Sequence, residues 1–371
     1  MAPIKGDPAL VEQLRFGVRQ GDVKDLIGRA ARCWDRYGLP DGSKNPGRQP
    51  GRLPDGMSGT LTPSEKDIND ALNKLLRPVL DPADRWLLNI PRVLVPDRSS
   101  AHVLMSRKGA ALAMPWSAFG GLFFVNALRS MLSFPVEHPA CRSRRQRRKL
   151  ARRLPLDLCA KATRYWLTGI KPPAECVRAV ERLEHVITLW MKLTEPAVGQ
   201  TIWAISVFEQ ALMTLHEFGH VVALGRDRPT GTKPKATHCT LADELGADQW
   251  SRRYARRLAD GLFADPQHAI IPLLALYSTL DIAEMPDPGD PRRQDLAQRC
   301  ALLIEYVTSR PIDLALVYDD FAKTRALYSR PERLLGDFRR LDDFVTVLAM
   351  GGIEADEEFR AFVDDLVERW T

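Results

Sequence analysis

The sequence predicts a mainly α-helical (α+β) fold with a small antiparallel sheet. From Ser117 onward nearly every patterned segment has helical spacing, and short runs of strand formers are confined to the stretch between Pro91 and Trp116. The composition, 45% hydrophobic and 27% charged, is that of a globular protein and excludes a disordered or fibrous chain. At 371 residues the chain is long enough for about two domains. We expect an N-terminal helical region at 1–168, containing the sheet and a basic segment, and a second domain at 169–371.

The N-terminal region contains one long loop followed by two helix starts. The loop, 38–57, holds four prolines and five glycines, which break regular structure. Thr62 to Glu65 has the spacing of a capping box with proline at the first helical position, and Asp81-Pro82 repeats the combination of cap and proline. Helices are therefore expected to begin at both places.

Three short runs rich in strand formers follow these helices. They are RVLV at 92–95, AHVLMS at 101–106 and AALAMPW at 110–116, separated by PDRSS and RKG. Short strands joined by turn-forming residues are typical of a meander. We expect a small antiparallel β-meander.

The second half of the chain predicts three long helices. The predicted spans are Pro173–Leu193, Thr201–Leu224 and a helix from Thr240 to about Asp260. Pro196 and Gly199 break the pattern before the second helix, and Gly225 ends it. Thr240 caps the third, with Asp243 completing a capping box.

The helix at 201–224 carries ionisable residues in an almost entirely apolar sequence, so it is expected to be buried. His216 and His220 are four residues apart and therefore lie on one face of the helix. That spacing lets two imidazole nitrogens approach one Zn²⁺ ion at about 2.0–2.1 Å. Glu217 lies beside such an ion and can accept a proton from its bound water. The HExxH pattern thus predicts a zinc site with Glu217 as the general base.

A catalytic zinc site needs a third protein ligand. The next helix offers Glu244, with Asp248 one turn further on, within ADELGADQW. Glu244 can complete the site, and Asp248 can accept the second ring N–H of a zinc-bound histidine. The other interpretation is that these acids only complement the positive end of the helix dipole.

HEFGH followed by ELGAD resembles the gluzincin class of zinc metallopeptidases, over about Thr201 to Asp260. In its short spacing and its lack of export or membrane signals, the chain is most similar to the cytoplasmic ImmA/IrrE-type and Lit-type proteases. The resemblance implies a helical zincin-like core and a gluzincin-like catalytic domain at 169–371. Region 1–168 would then serve substrate selection or regulation.

The resemblance also assigns roles to individual residues. Zinc would be bound by His216, His220 and Glu244, with Glu217 as general base and Asp248 as partner of a ligand histidine. The expected function is limited, zinc-dependent cleavage of a specific protein or peptide substrate. Hydrolysis of a non-peptide bond by the same residues stays open.

A proton donor usually helps to stabilise the oxyanion that forms in such hydrolysis. His238, just before the second motif helix, is the first choice for this catalytic role, and Tyr254 and Tyr277 are the other candidates. The sequence does not rank the three well.

The positive net charge of +6 is concentrated in one segment. Arg142 to Arg153 contains eight basic residues and no acid, while the last twenty residues, 352–371, hold seven acids. The basic segment could bind nucleic acid through phosphates or dock an acidic partner, although a charged helix is more often a solvated surface. The alternative function is accordingly a zincin-fold binding or regulatory protein that docks nucleic acid or a partner through this segment.

The chain is expected to be cytoplasmic, with no membrane segment. Its longest apolar stretch, Ala110 to Phe134, is interrupted by Pro115 and Arg129, whereas a span needs about 20 apolar residues. The first ten residues carry no signal-peptide pattern. Six scattered cysteines without a CxxC pair are typical of a reducing compartment.

Overall fold

Helices account for most of the residues that the computed structural model describes. These residues are 4–16, 18, 22–29, 65–96, 101–133, 196–225, 235–236, 240–263, 265–284 and 289–329, with separate positions between 162 and 187. The helices with defined bounds are α1 (Pro8–Arg15), α2 (Glu65–Val79), α3 (Gly121–Ser133), α4 (Pro196–Leu224), α5 (Leu241–Leu262), α6 (Ile270–Glu284), α7 (Arg292–Thr308) and α8 (Leu314–Ser329). Short 3-10 helices occupy Pro82–Asn89, Trp116–Ala118 and Pro266–Ala269. The mainly α-helical (α+β) prediction is confirmed.

Each predicted run of strand formers contains a strand. The strands are β1 (Arg92–Leu94), β2 (His102–Met105), β3 (Ala110–Met114) and, much later in the chain, β4 (Lys235–Ala236). The order in the sheet is β1-β3-β2-β4. Strand β2 pairs antiparallel with β3 and with β4, but β1 pairs parallel with β3.

The expectation of a purely antiparallel sheet is therefore wrong, since the sheet is mixed. The physical reason lies in β3, whose five residues are all apolar and all buried. A strand that is buried on both faces belongs inside a sheet. Strand β1 consequently pairs with β3 rather than with its neighbour in sequence.

Helix α4 runs through the centre of the described structure. It begins at Pro196, earlier than the predicted Thr201, because proline is well suited to the first position of a helix. Its end at Leu224 is as predicted, with the N–H of Gly225 donating to the carbonyl of Val221 at 2.9 Å. One face packs on α5 and another on α3 and the sheet. A helix enclosed in this way has to be apolar nearly all round.

Helix α5 begins with the predicted capping box. The Thr240 hydroxyl accepts the N–H of Asp243 at 3.3 Å, and the Asp243 carboxylate accepts the N–H of Thr240 at 3.0 Å. The short helix predicted at Asp81-Pro82 does begin there with Asp81 as its N-cap, but the Asp81 carboxylate accepts hydrogen bonds from Tyr254 and Arg257 rather than from the helix backbone. Pro82–Asn89 is accordingly held against the side of α5.

One hydrophobic cluster extends from Ile4 to Phe321 and contains side chains from α2, α4, α5, α6, α7 and α8. A smaller cluster lies between α1 and one face of the sheet. The division of the chain at residue 168 stays a prediction. Within the described residues, no helix combines the length and the apolar character that crossing a membrane requires.

Several predictions concern residues outside those described. They include the capping box at Thr62, the basic segment Arg142–Arg153, the acidic segment 352–371 and His238. Of the predicted helix Pro173–Leu193, only positions 177, 180, 184 and 187 are described, and all four are helical.

Candidate metal centre

Three side chains from α4 and α5 direct donor atoms at one point. The Nε2 atoms of His216 and His220 lie 3.1 Å apart. Glu244 places Oε2 3.1 Å from the first of these nitrogens and Oε1 3.3 Å from the second. Ligands of a tetrahedral Zn²⁺ with bonds of about 2.0–2.2 Å lie about 3.3 Å from one another. The donor set and its spacing therefore fit a single zinc ion.

Glu217 lies next to this donor set. Its carboxylate belongs to a group with the two histidines in which the possible ligand atoms are all within 4.8 Å of one another. The side chain is only 5% exposed, and Oε2 has no hydrogen-bond partner among the described residues. Burial raises the pKa of Glu217. A buried, unpaired carboxyl oxygen is costly, which indicates that it serves a group other than the chain itself.

Glu244 is better placed than Glu217 to be the third ligand. Its two oxygens lie 3.1 and 3.3 Å from the two Nε2 atoms, whereas Glu217 is placed only within 4.8 Å of the histidine ligand atoms. Glu217 also follows His216 directly and so projects to one side of the histidine pair. The geometry separates a ligand position from a position suited to a base.

Asp248 holds the ring of His216 from the side opposite the donor point. Its Oδ1 lies 2.8 Å from Nδ1 of His216. In the neutral ring, a proton on Nδ1 donated to this carboxylate leaves Nε2 with a free lone pair. That lone pair points to where a metal ion would sit.

Arg299 of α7 binds Glu244 and Asp248 of α5, although no sequence motif pointed to it. Its Nη2 lies 2.8 Å from Oε2 of Glu244, and its Nε lies 2.6 Å from Oδ2 of Asp248. The guanidinium thus fixes the Glu244 carboxylate and the partner of His216 at once. The sequence does contain an indication of this role, because Arg299 falls between Leu296 and Leu303 on the otherwise apolar face of α7.

The charges around the donor point change the pKa of each group. Burial alone would lower the pKa of His216, but Asp248 and Glu244 raise it to about 10. Burial would raise the pKa of Glu244, yet the two histidines and Arg299 hold it far below its usual range. Without a metal ion, these interactions favour a protonated His216 between the ionised carboxylates of Glu244 and Asp248. A divalent cation would take the place of that proton.

A cavity of about 600 Å³ opens onto these residues. Helices α6 and α7 contribute apolar side chains to its lining, namely Leu276, Leu280, Leu296 and Leu303. Helix α4 and strand β2 contribute Met213 and His102. The donor point is thus reached from a space large enough for a short stretch of peptide or a comparable molecule.

The predicted proton donors are found in different places. Tyr277 lines the cavity. Tyr254 lies elsewhere on α5, where its hydroxyl donates to Asp84 and, at 3.2 Å, to Asp81. His238 is outside the described residues, so its role stays a prediction.

Comparison with known proteins identifies no relative. No family model, no curated protein and no solved structure matches the chain. The interpretation of the site consequently depends on its own geometry and chemistry.

Proposed function

We propose that this chain is a zinc-dependent metallopeptidase that makes limited cleavages in a specific protein substrate. The observation that carries the proposal is the set of donor-atom separations among His216, His220 and Glu244, 3.1–3.3 Å, between two packed helices. Glu217, buried and with one unpaired oxygen beside them, supports a hydrolytic role over a purely structural zinc site.

Zinc bound at this point would supply a Lewis acid for the scissile carbonyl and would lower the pKa of a coordinated water to about 7. Glu217 would accept the proton of the attacking water and pass it to the leaving amine, for which its raised pKa suits it. Asp248 would hold His216 in the ligating tautomer, and Arg299 would keep Glu244 and Asp248 in place.

Tyr277 is the best supported donor to the oxyanion. It is the one candidate of the three that lines the cavity among the described residues. Burial raises the pKa of Tyr277 well above its usual value, so its hydroxyl keeps the proton that such a role needs.

The substrate and the compartment are part of the same proposal. The large part of the chain outside the α4–α5 pair supports selection of a specific substrate over general digestion. The scattered spacing of the cysteines, without a CxxC pair, supports a cytoplasmic location, and Cys300, the cysteine among the described residues, is a free buried thiol. Binding of nucleic acid or an acidic partner through Arg142–Arg153 stays a prediction, since those residues are outside the described part.

The first test is the zinc content of the chain purified without chelators. We expect one zinc per wild-type chain, its loss in His216→Ala and Glu244→Ala, and its retention in Glu217→Gln. A folded wild-type chain that neither contains zinc nor takes it up would overturn the proposal.

The second test is hydrolysis of a protein mixture by the zinc-loaded chain. We expect the wild type to make a few discrete cleavages and Glu217→Gln to make none. Zinc binding at full occupancy without any Glu217-dependent cleavage would instead favour the binding-protein alternative.

A further inference from the structure

Most polar side chains that line the cavity are already engaged. The Arg299 guanidinium binds Glu244 and Asp248, as described above. Arg292 at the cavity rim is held by Asp290, with its Nε 3.0 Å from Oδ1 and its Nη2 2.5 Å from Oδ2. The hydroxyl of Thr240 belongs to the capping box, and that of Ser251 donates to the carbonyl of Asp248 at 3.2 Å. These groups have little capacity left for a ligand.

Asp295 is different. It lines the cavity from the first turn of α7, one helical turn before Arg299, which corresponds to about 6 Å along the helix. Among the described residues, its carboxylate takes part in no ion pair or hydrogen bond, and the three arginines of α7, Arg292, Arg293 and Arg299, bind other acids. An uncompensated carboxylate therefore faces the same space as the metal centre.

The wall beside Asp295 suits a long cationic side chain. Leu280 and Leu296 line the same cavity and are apolar. A lysine or arginine can lay its methylene groups along such a surface while its charged end reaches a carboxylate. A charge-assisted hydrogen bond to an acid in a cavity is stronger than one between neutral groups.

We propose that Asp295 selects substrates that carry a positively charged group, a basic side chain or a free amino terminus, close to the bond that is hydrolysed. This inference rests on the proposed function, since it assumes that the substrate is held at the metal centre. Asp295 is a specificity-determining residue here and takes no part in the chemical step. An acidic group at the same substrate position is repelled by it.

Peptide hydroxamates test the inference, because they bind a zinc centre without being hydrolysed. One set carries lysine, norleucine or glutamate next to the hydroxamate, and a second compares free with acetylated amino termini. Their affinities are measured by calorimetry for zinc-loaded wild type, Asp295→Asn and Asp295→Lys. Glu305→Gln serves as the control, since Glu305 is an exposed acid on the same helix and does not line the cavity.

We expect the wild type and Glu305→Gln to prefer lysine over glutamate by about tenfold or more. Asp295→Asn should lose most of this preference, and Asp295→Lys should reverse it. A preference for the free over the acetylated terminus, without one for lysine, would assign the cation to the substrate's amino group.

Equal affinities across both sets in zinc-loaded wild type would overturn the inference and leave the metallopeptidase proposal standing. A wild-type chain that takes up no zinc would overturn both. If Asp295 only stabilised the start of α7, Asp295→Asn would lower the melting temperature and leave the charge preference unchanged, which also contradicts the inference.

Discussion

Gly219 of α4 lies directly against the backbone of Ala247 in α5. A Cβ atom on Gly219 would be 2.7 Å from the carbonyl oxygen of Ala247 and 2.8 Å from its Cα atom. The two helices therefore approach more closely at this point than any larger residue allows. Because Glu244 lies one turn before Ala247, this approach brings its carboxylate to the two histidines.

Gly219→Ala should damage both stability and zinc binding. The atoms that the new methyl group meets belong to the backbone, so α5 has to move away as a whole. Overpacking of this kind costs about 1–3 kcal/mol, and the shift should weaken zinc binding by an order of magnitude or more. Thermal unfolding with and without zinc measures the first effect, and chelator competition measures the second.

Gly246→Ala is the matched control for this substitution. Gly246 lies on α5 close to Ala247, but a Cβ there has nothing within 4 Å. Replacing an exposed helical glycine with alanine should stabilise the chain by about 0.5–1 kcal/mol. If Gly219→Ala kept the stability and the zinc affinity of the wild type, the close approach of the two helices would have no bearing on the site.

Arg299→Met should destabilise the metal-free chain far more than the zinc-bound one. The substitution leaves two largely buried carboxylates, on Glu244 and Asp248, with His216 as their remaining positively charged partner. Breaking a buried ion pair costs about 3 kcal/mol, and a bound zinc ion supplies part of the lost positive charge. Calorimetric melting of both forms should show a larger zinc-induced stabilisation than in the wild type.

Arg292→Met controls for the loss of an arginine from the same helix. Arg292 is 63% exposed and binds Asp290 at the surface, where an ion pair contributes about 1 kcal/mol or less. We expect a small change that is the same with and without zinc. If Arg299→Met behaved in this way, its bridging role would be refuted.

The HExxH pattern was sufficient to predict the close pairing of His216 and His220, because both histidines lie on one helix with fixed geometry. The position of Glu244 followed from Thr240 and Asp243, whose capping box fixes where α5 begins and hence which residues its first turns present. Helix periodicity and helix capping thus predicted those parts of the site whose position is determined within a single helix.

Arg299 could not be located in the same way, since it comes from α7, and only tertiary packing brings it to α5. The sheet shows the same limit, because the runs of strand formers were visible but the parallel pairing of β1 with β3 depends on which strand takes a central position in the sheet. In both cases, contacts between segments distant in sequence decide the outcome.

Asp248→Ala should reduce zinc affinity by about 10- to 100-fold without removing any ligand. Its carboxylate fixes the His216 ring through a contact of 2.8 Å, and without it the ring can rotate and change tautomer. Competition with a chromogenic chelator measures the affinity. Asp260→Asn, at an exposed position of the same helix, is the control and should leave the affinity unchanged; an equal loss there would point to a general charge effect.

The stability of the chain should depend on pH through Glu209, a fully buried residue of α4. Burial raises the pKa of Glu209 to about 8, against the opposing effect of a 2.6 Å hydrogen bond from Asn126, and its Oε1 has no partner among the described residues. The folded state therefore binds a proton that the unfolded state releases at much lower pH. The stability that this proton contributes is complete below the pKa of the unfolded carboxyl group and is lost as the pH rises through about 8.

We expect the free energy of unfolding to fall by at most about 3 kcal/mol from about pH 6 to about pH 9.5 because of this group. Glu209→Gln should remove that part of the decline, because the amide stays neutral at every pH and can still accept from Asn126. Urea unfolding at several pH values measures the slope, with the exposed Glu305→Gln as control. If wild type and Glu209→Gln declined in parallel, Glu209 would have to be ionised in the folded chain at neutral pH.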